Sequence, residues 1–360
     1  MDHILDILKE KGIRCYQTDR FNLDHTLLEP YQDDKQEFQF IKPHETKRTK
    51  DIFVNIEDRG YFNLFKYFLD GSRYTYKIAE METGDNEYMP IIAGQLAAGV
   101  CSRTNGNMKK YILKRKNILT LYHLINEEDF NDIKEVMDRL NIINGVSFNL
   151  EKYGLGKRND ERPESSAIAK LQSIMHDMEI EILSEMVQTS ALKSDEMLMI
   201  DGSLQFLNED ANEDLFEYVI GISKSFNPNL SKIFINETTQ IGAVLTKLKY
   251  RQRTPVYRYP IKNSDKIIGA WYLRIRPEER MKNPLDGIIK VEKMATTTSE
   301  KDNGFDTDEI NTISQAILLE RNVTCYGNDA RWCNHLYPIY LTESMLKSSF
   351  LSQQHFINLF

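Results

Sequence analysis

The chain has 360 residues, 41% apolar and 28% charged, with 10 prolines and 17 glycines. That composition excludes a collagen, a coiled coil and a disordered tail, and it suits one large globular domain or two ordinary ones. Lys and Arg number 46 against 54 Asp and Glu, a formal net charge of -8, which argues against a protein that coats nucleic acid but leaves room for a local basic groove.

The N-terminal MDHILDILKEKGIR places Ile4, Leu5, Ile7 and Leu8 near one face of a short helix and lacks a signal-peptide core. The polar stretches that follow, up to residue 60, read as an arm. From residue 61, YFNLFKYFLDGSRYTYKIAEME predicts a strand, a turn at Asp70-Gly71-Ser72 and a second strand. IIAGQLAAGVCSR and KKYILKRKNILTLYHL extend this to an antiparallel meander, and EEDFNDIKEVMDRL predicts a helix. After a loop over 154–166, a long helix runs from about 165 to 193, with Ser165 or Ser166 as its cap. EMLMIDGSLQF predicts a buried strand ending at Asp201, and FEYVIGISKSF another ending at Lys224. A helix around 239–249 and strands at PVYRYPI, IIGAWYLRIRP and GIIKVEK come next. A polar loop over TTTSEKDNGFDTDE and helices around 307–321 and 336–358 close the chain. Four scattered cysteines and no run of about 18 apolar residues point to a soluble cytoplasmic protein without disulfides or membrane spans.

Phe68-Leu69-Asp70-Gly71-Ser72 and Met199-Ile200-Asp201-Gly202-Ser203 both set an Asp after a buried apolar run, at the sheet edge where open α/β sheets place their sites. The same residues also fit ordinary Asp-Gly turns. The long helix offers Glu179, Glu181 and Glu185, of which Glu179 borders the apolar stripe. Carboxylates converging at a sheet end suit a pair of Mg²⁺ or Mn²⁺ ions about 3.5–4 Å apart, which prefer oxygen ligands. His335 can add an imidazole, and Lys224 an ammonium for a phosphate. Two basic clusters carry interleaved aromatics that could stack bases: Lys109 to Lys116 with Tyr111, and Lys247 to Arg258, Arg253 among its bases, with Tyr250 and Tyr257. The spacing of Cys325, Cys333 and His335 suits no zinc site.

In order, FLDGSR, MEIEIL, LMIDGSLQF, YVIGISKSF and CYGNDARWCNHLYPIYL resemble the NurA nuclease family, partner of the hexameric HerA DNA translocase, over about residues 60 to 360. The resemblance implies an α/β fold: an RNase H-like core with a central mixed sheet flanked by helices. An N-terminal helix and arm (1–60) would precede the nuclease domain (61–360). It implies a homodimer, cleavage of DNA with Mn²⁺ or Mg²⁺, and a HerA-like ATPase as partner in DNA-end processing or phage defence. Carried over, Asp70, Glu179, Asp201 and His335 form the metal site, with Glu181 as the rival to Glu179. By the same resemblance Tyr326 would contact the substrate or orient the scissile phosphate, and Lys224 would hold a phosphate.

Overall fold

A computed structural model describes residues 4–23, 39–47, 52–54, 64–82, 87–155, 162–204, 212–224, 233–260, 265–324 and 330–360. Helix α1 (Ile4–Glu10) and strands β1 (Cys15–Asn22), β2 (Gln39–Phe40), β3 (Lys42–Pro43) and β4 (Ile52–Phe53) precede three long strands, β5 (Phe65–Glu82), β6 (Tyr88–Thr104) and β7 (Asn107–Tyr122). Next come α2 (Glu127–Asn144), β8 (Asn149–Tyr153), α3 (Pro163–Gln188), β9 (Met197–Asp201) and β10 (Val219–Ser223). Short pieces β11 (Ile233–Phe234), α4 (Ile241–Leu245) and β12 (Gln252–Arg253) lead to β13 (Tyr257–Pro260), β14 (Ile267–Arg274) and β15 (Ile288–Met294). The chain closes with α5 (Thr298–Asn303), α6 (Thr307–Leu319), α7 (Tyr337–Ser348) and α8 (Gln353–Ile357).

These strands build a mixed sheet in the order β3-β13-β14-β15-β10-β9-β5-β6-β7-β8. The meander β5-β6-β7 is antiparallel, and β9 and β10 add in parallel on the other side of β5. On one face, Leu69 and Leu198 pack with Leu171, Met178 and Ile182 of α3. On the other, Phe68, Met199 and Ile222 pack with Ile313 and Ile317 of α6 and Ile339 of α7. The expected mixed α/β fold, a central sheet flanked by helices, is the one observed.

Several local features differ from expectation. Asp70-Gly71-Ser72 is not a turn: it lies inside an 18-residue strand. Asp70, Gly71 and Ser72 pair with Gly99, Ala98 and Ala97 of β6, and the sheet's pairing overrides the local turn signal. Helix α3 starts earlier than expected, with Pro163 in its first turn and Arg162 at its N-cap instead of a serine; a missing N–H suits that position. Residues 298–303, expected as loop, form α5 under a capping box of Thr297 and Glu300. The C-terminal helix is two, α7 and α8, and α4 is shorter than the expected 239–249.

The described parts of the first 60 residues are built into the sheet and core. The β1 strand pairs with the far half of β5, β3 with β13 and β4 with β12. Ile4, Leu5, Ile7 and Leu8 of α1 are buried in the core that α3 covers. This has a consequence for β5. Its Phe65–Leu69 segment pairs with β9 and its Tyr76–Met81 segment with β1. In the described pairings, the edge from Asp70 to Thr75 stays open between them.

Candidate active site

Asp70 stands at the start of that open edge. Parallel register aligns Leu69 with Ile200 and Asp201 with Ile222, which brings Asp70 beside Asp201 at the end of β9. Lys224 follows β10 at once, two residues after Ile222, so it shares the face of Asp201. Gly202 turns the chain away after Asp201 at φ +121, a value side chains rarely adopt, and its N–H donates to Ile222 O at 2.8 Å. Glu292 of β15 accepts from Ser203 Oγ at 2.8 Å and from the Leu204 N–H at 2.6 Å, which pins the turn.

Lys224 Nζ lies 2.7 Å from Asp201 Oδ2 and 3.1 Å from His335 Nε2. His335 Nε2 is also 3.1 Å from Glu343 Oε2 of α7. Asn334 ties the two segments together: its Nδ2 donates to Lys224 O at 2.7 Å and its Oδ1 accepts from the Gly287 N–H at 2.8 Å. Asp70 is 5% exposed, and its Oδ2 is buried without a hydrogen-bond partner among the described residues.

Glu179 arrives from the opposite face. Strand alternation turns Gly71 toward α3, and a Cβ at Gly71 would collide with Glu179 Oε1 and press Met175. The bare glycine at the open edge is the space the carboxylate occupies. His176, one turn earlier on α3, holds Glu179 Oε2 through Nδ1 at 2.8 Å.

The charges are unbalanced. Burial pushes the Asp70 carboxyl well above its ordinary value, and the Asp201, Glu343 and Glu179 carboxylates push it further against the pull of Lys224. Burial also raises Glu179, opposed by the His176 hydrogen bond and assisted by Asp201. Burial would lower Lys224, yet Asp201 and Asp70 outweigh it and the ammonium is held charged. The His335 hydrogen bond holds Glu343 well below the usual carboxylate range despite burial, with Lys347 and Lys224 adding to it.

Asp70, Asp201, Lys224 and His335 therefore meet in one cluster, with Glu179 reaching it beside Gly71. Glu181 points elsewhere: its half-exposed carboxylate lies 3.6 Å from Lys114 and 3.8 Å from Lys116. Tyr326 lies outside the described residues. Sequence reasoning missed Glu343 and His176. Glu343 is the lone acid of α7, four residues before Lys347, and His176 sits three residues before Glu179, the spacing that puts side chains side by side on a helix. Of the basic clusters, Lys114 pairs with Glu181 and Glu185, and Arg253 is fully buried. Neither residue is a free phosphate contact.

The donor set is hard oxygen with one imidazole, which suits Mg²⁺ or Mn²⁺ over softer metals. Asp70 Oδ2, buried, unpartnered and surrounded by carboxylates, is an acceptor that fits a cation. Among the described residues no three of His, Cys, Asp and Glu already stand in the geometry that holds a metal. Among the described residues, no helix is long and apolar enough to cross a membrane.

No family model and no curated protein matches this chain. Among solved structures, it is similar to the crystal structure of the NurA nuclease from Sulfolobus solfataricus, at 12% identity and a TM-score of 0.41, over 82% of each chain.

Proposed function

We propose that this protein is a divalent-metal-dependent nuclease that hydrolyses DNA phosphodiester bonds. The observation that carries the reading is Asp70: a buried carboxylate with an unpartnered oxygen, at an open strand edge, beside Asp201, Glu179 and a charged lysine. Asp70, Asp201 and Glu179, with His335, are the residues that would hold Mn²⁺ or Mg²⁺. Bound there, the ion would supply activation of a water and neutralisation of charge at the phosphate. The protein's own groups do the rest. Lys224, held charged, moves from Asp201 to a phosphate oxygen of the substrate. His335 Nε2, within reach of both Lys224 and Glu343, can carry a proton at that atom. Tyr326, carried over from the motif resemblance, would orient the scissile phosphate. The same resemblance extends the proposal to a homodimer working with a HerA-like hexameric ATPase, in DNA-end processing or phage defence, in the cytoplasm.

A labelled linear duplex and the matching single strand, incubated with Mn²⁺, Mg²⁺ or EDTA, test the reading. Metal-dependent degradation that Asp201→Asn abolishes is the expected result. A second reading has its own observation. Lys224 already neutralises Asp201, and among the described residues no three ligands are preset, which suits a non-catalytic DNA-binding or scaffold subunit. Thermal stabilisation by Mn²⁺ separates the two, because only a site that binds the ion shifts the midpoint.

A further inference from the structure

Lys347, Glu343, His335, Lys224 and Asp201 form an unbroken polar chain from the surface of α7 to the end of β9. Its four contacts measure 2.7, 3.1, 3.1 and 2.7 Å. Glu343 is the pivot. Its Oε1 takes Lys347, one helical turn on, and that pair alone would satisfy a carboxylate on a helix surface. Its Oε2 is spent inward, on an imidazole whose side chain is 6% exposed. A surface ion pair has no need of that second contact.

His335, in turn, has little else to orient it. Among the described residues its buried Nδ1 has no hydrogen-bond partner, so the polar anchoring they give the ring runs through Nε2. That nitrogen either accepts from Lys224 or donates to Glu343, and it cannot do both at once. Trp332 and Tyr340 flank the ring at centroid distances of 5.9 Å each; they limit its tilt but give it no polar direction. The helix carrying Glu343 is itself fixed to the site. Thr342, the preceding residue, is buried and donates to Phe68 O at 3.4 Å, two positions before Asp70.

We propose that Glu343 is a positioning residue. Its carboxylate holds the His335 imidazole, and its Oε2, 4.0 Å from Lys224 Nζ, helps hold the ammonium, in the orientation that cleavage requires. This rests on the nuclease reading above and assigns Glu343 no contact with DNA.

Glu343→Ala, Glu343→Gln and Lys347→Ala in the full chain test it, with kcat and KM for DNA measured beside the thermal midpoint. Histidine labelled with ¹⁵N adds a readout that needs no activity: ring-nitrogen spectra, with the His335 signals assigned by their loss in His335→Asn. Loss of an orienting partner costs about 10–100-fold, and Glu343→Ala is expected to lower kcat by that much with KM unchanged. Glu343→Gln, which keeps length and an acceptor, should restore most of it, and Lys347→Ala should cost less than either. The His335 ring signals should move in Glu343→Ala and stay near the wild type in Glu343→Gln. An unchanged kcat in Glu343→Ala overturns the proposal. So does an equal loss in both Glu343 variants with unmoved ring signals, which would make the charge, and not the orientation, the contribution. Should the wild type not cleave DNA, the nuclease reading fails by itself. The ring spectra still decide the positioning contact: signals unmoved by Glu343→Ala refute it, and signals moved by Glu343→Ala alone sustain it.

Discussion

Two buried charge clusters sit on the same sheet and end in opposite states. Around β12, the Arg253 guanidinium takes both oxygens of Glu45 at 2.6 and 3.1 Å, and it also bonds Asn311 Oδ1 at 2.9 Å and Thr254 O at 3.0 Å. Glu45 further accepts from the Val256 N–H at 2.8 Å. Every strong donor there has its acceptor, as a buried pair needs. At the end of β9, acids outnumber the charged partners, one Asp70 oxygen has no partner, and two carboxyls are pushed toward their neutral forms. The first cluster is complete as it stands. The second becomes complete only when positive charge arrives, which is how a binding site differs from a structural pair.

The contrast can be broken from either side. Arg253→Met leaves Glu45 buried and uncompensated, and should cost about 3–5 kcal/mol of stability by chemical denaturation, while folded molecules cleave as before. Asp70→Asn should do the reverse. Losing a ligand of the proposed metal removes several kcal/mol of transition-state stabilisation, roughly a thousandfold in cleavage. Yet the metal-free variant should melt about 1–3 °C above the wild type, because an amide carries no charge to bury. A wild type that outlasts Asp70→Asn without metal would contradict the strain argument.

A smaller change sharpens the role of the open strand edge. Gly71→Ala puts a methyl where Glu179 Oε1 lies. The clashing atom is the far end of a flexible side chain, so the fold should survive with its melting midpoint little changed. Misplacing one carboxylate ligand should lower cleavage by about 10–100-fold, and Gly71→Ala with full activity would remove Glu179 from the proposed site.

How much of this was legible beforehand depends on whether a residue's role is local. Asp201 and Lys224 each close a short apolar run, and the structure puts both at strand ends. Glu179 could be separated from Glu181 because Met175, Met178 and Ile182 define the buried stripe of α3 that it borders. Asp70 was singled out in the wrong setting. Asp-Gly-Ser is a turn signal that pairing with β6 overrides, and no local pattern around Asp70 reveals that partner. Arg253 was grouped with a basic track although it is fully buried; its partner Glu45 is more than two hundred residues away in the chain. Glu343 gave no signal at all, because a lone acid on an amphipathic helix has the pattern of a solvated residue.

The smallest expected effect is on stability against pH, and it follows from signs alone. Asp70 and Glu179 have raised carboxyl values in the fold. Their neutral forms are favoured, so stability is full below the ordinary carboxylate range and declines as pH rises through the raised values. His176 is raised as well, chiefly by the hydrogen bond it donates to Glu179 and against burial. Its contribution is full below the ordinary histidine value near 6.5 and fades as pH climbs through the folded one. All three therefore act in the same direction; Glu343, held low, acts oppositely and loses its contribution only in acid, so above the ordinary carboxylate range these raised groups should make the metal-free protein lose stability as pH rises. Mn²⁺ should reverse the slope, because the ion competes with protons for the same carboxylates and binds better as they ionise. His176→Gln removes only the part of the decline that begins at the ordinary histidine value. The Arg253–Glu45 cluster, already paired, is no part of this response. Melting curves from pH 4 to 9, with and without Mn²⁺, measure it, and a metal-induced shift that does not grow with pH would mean that the ion binds somewhere other than these carboxylates.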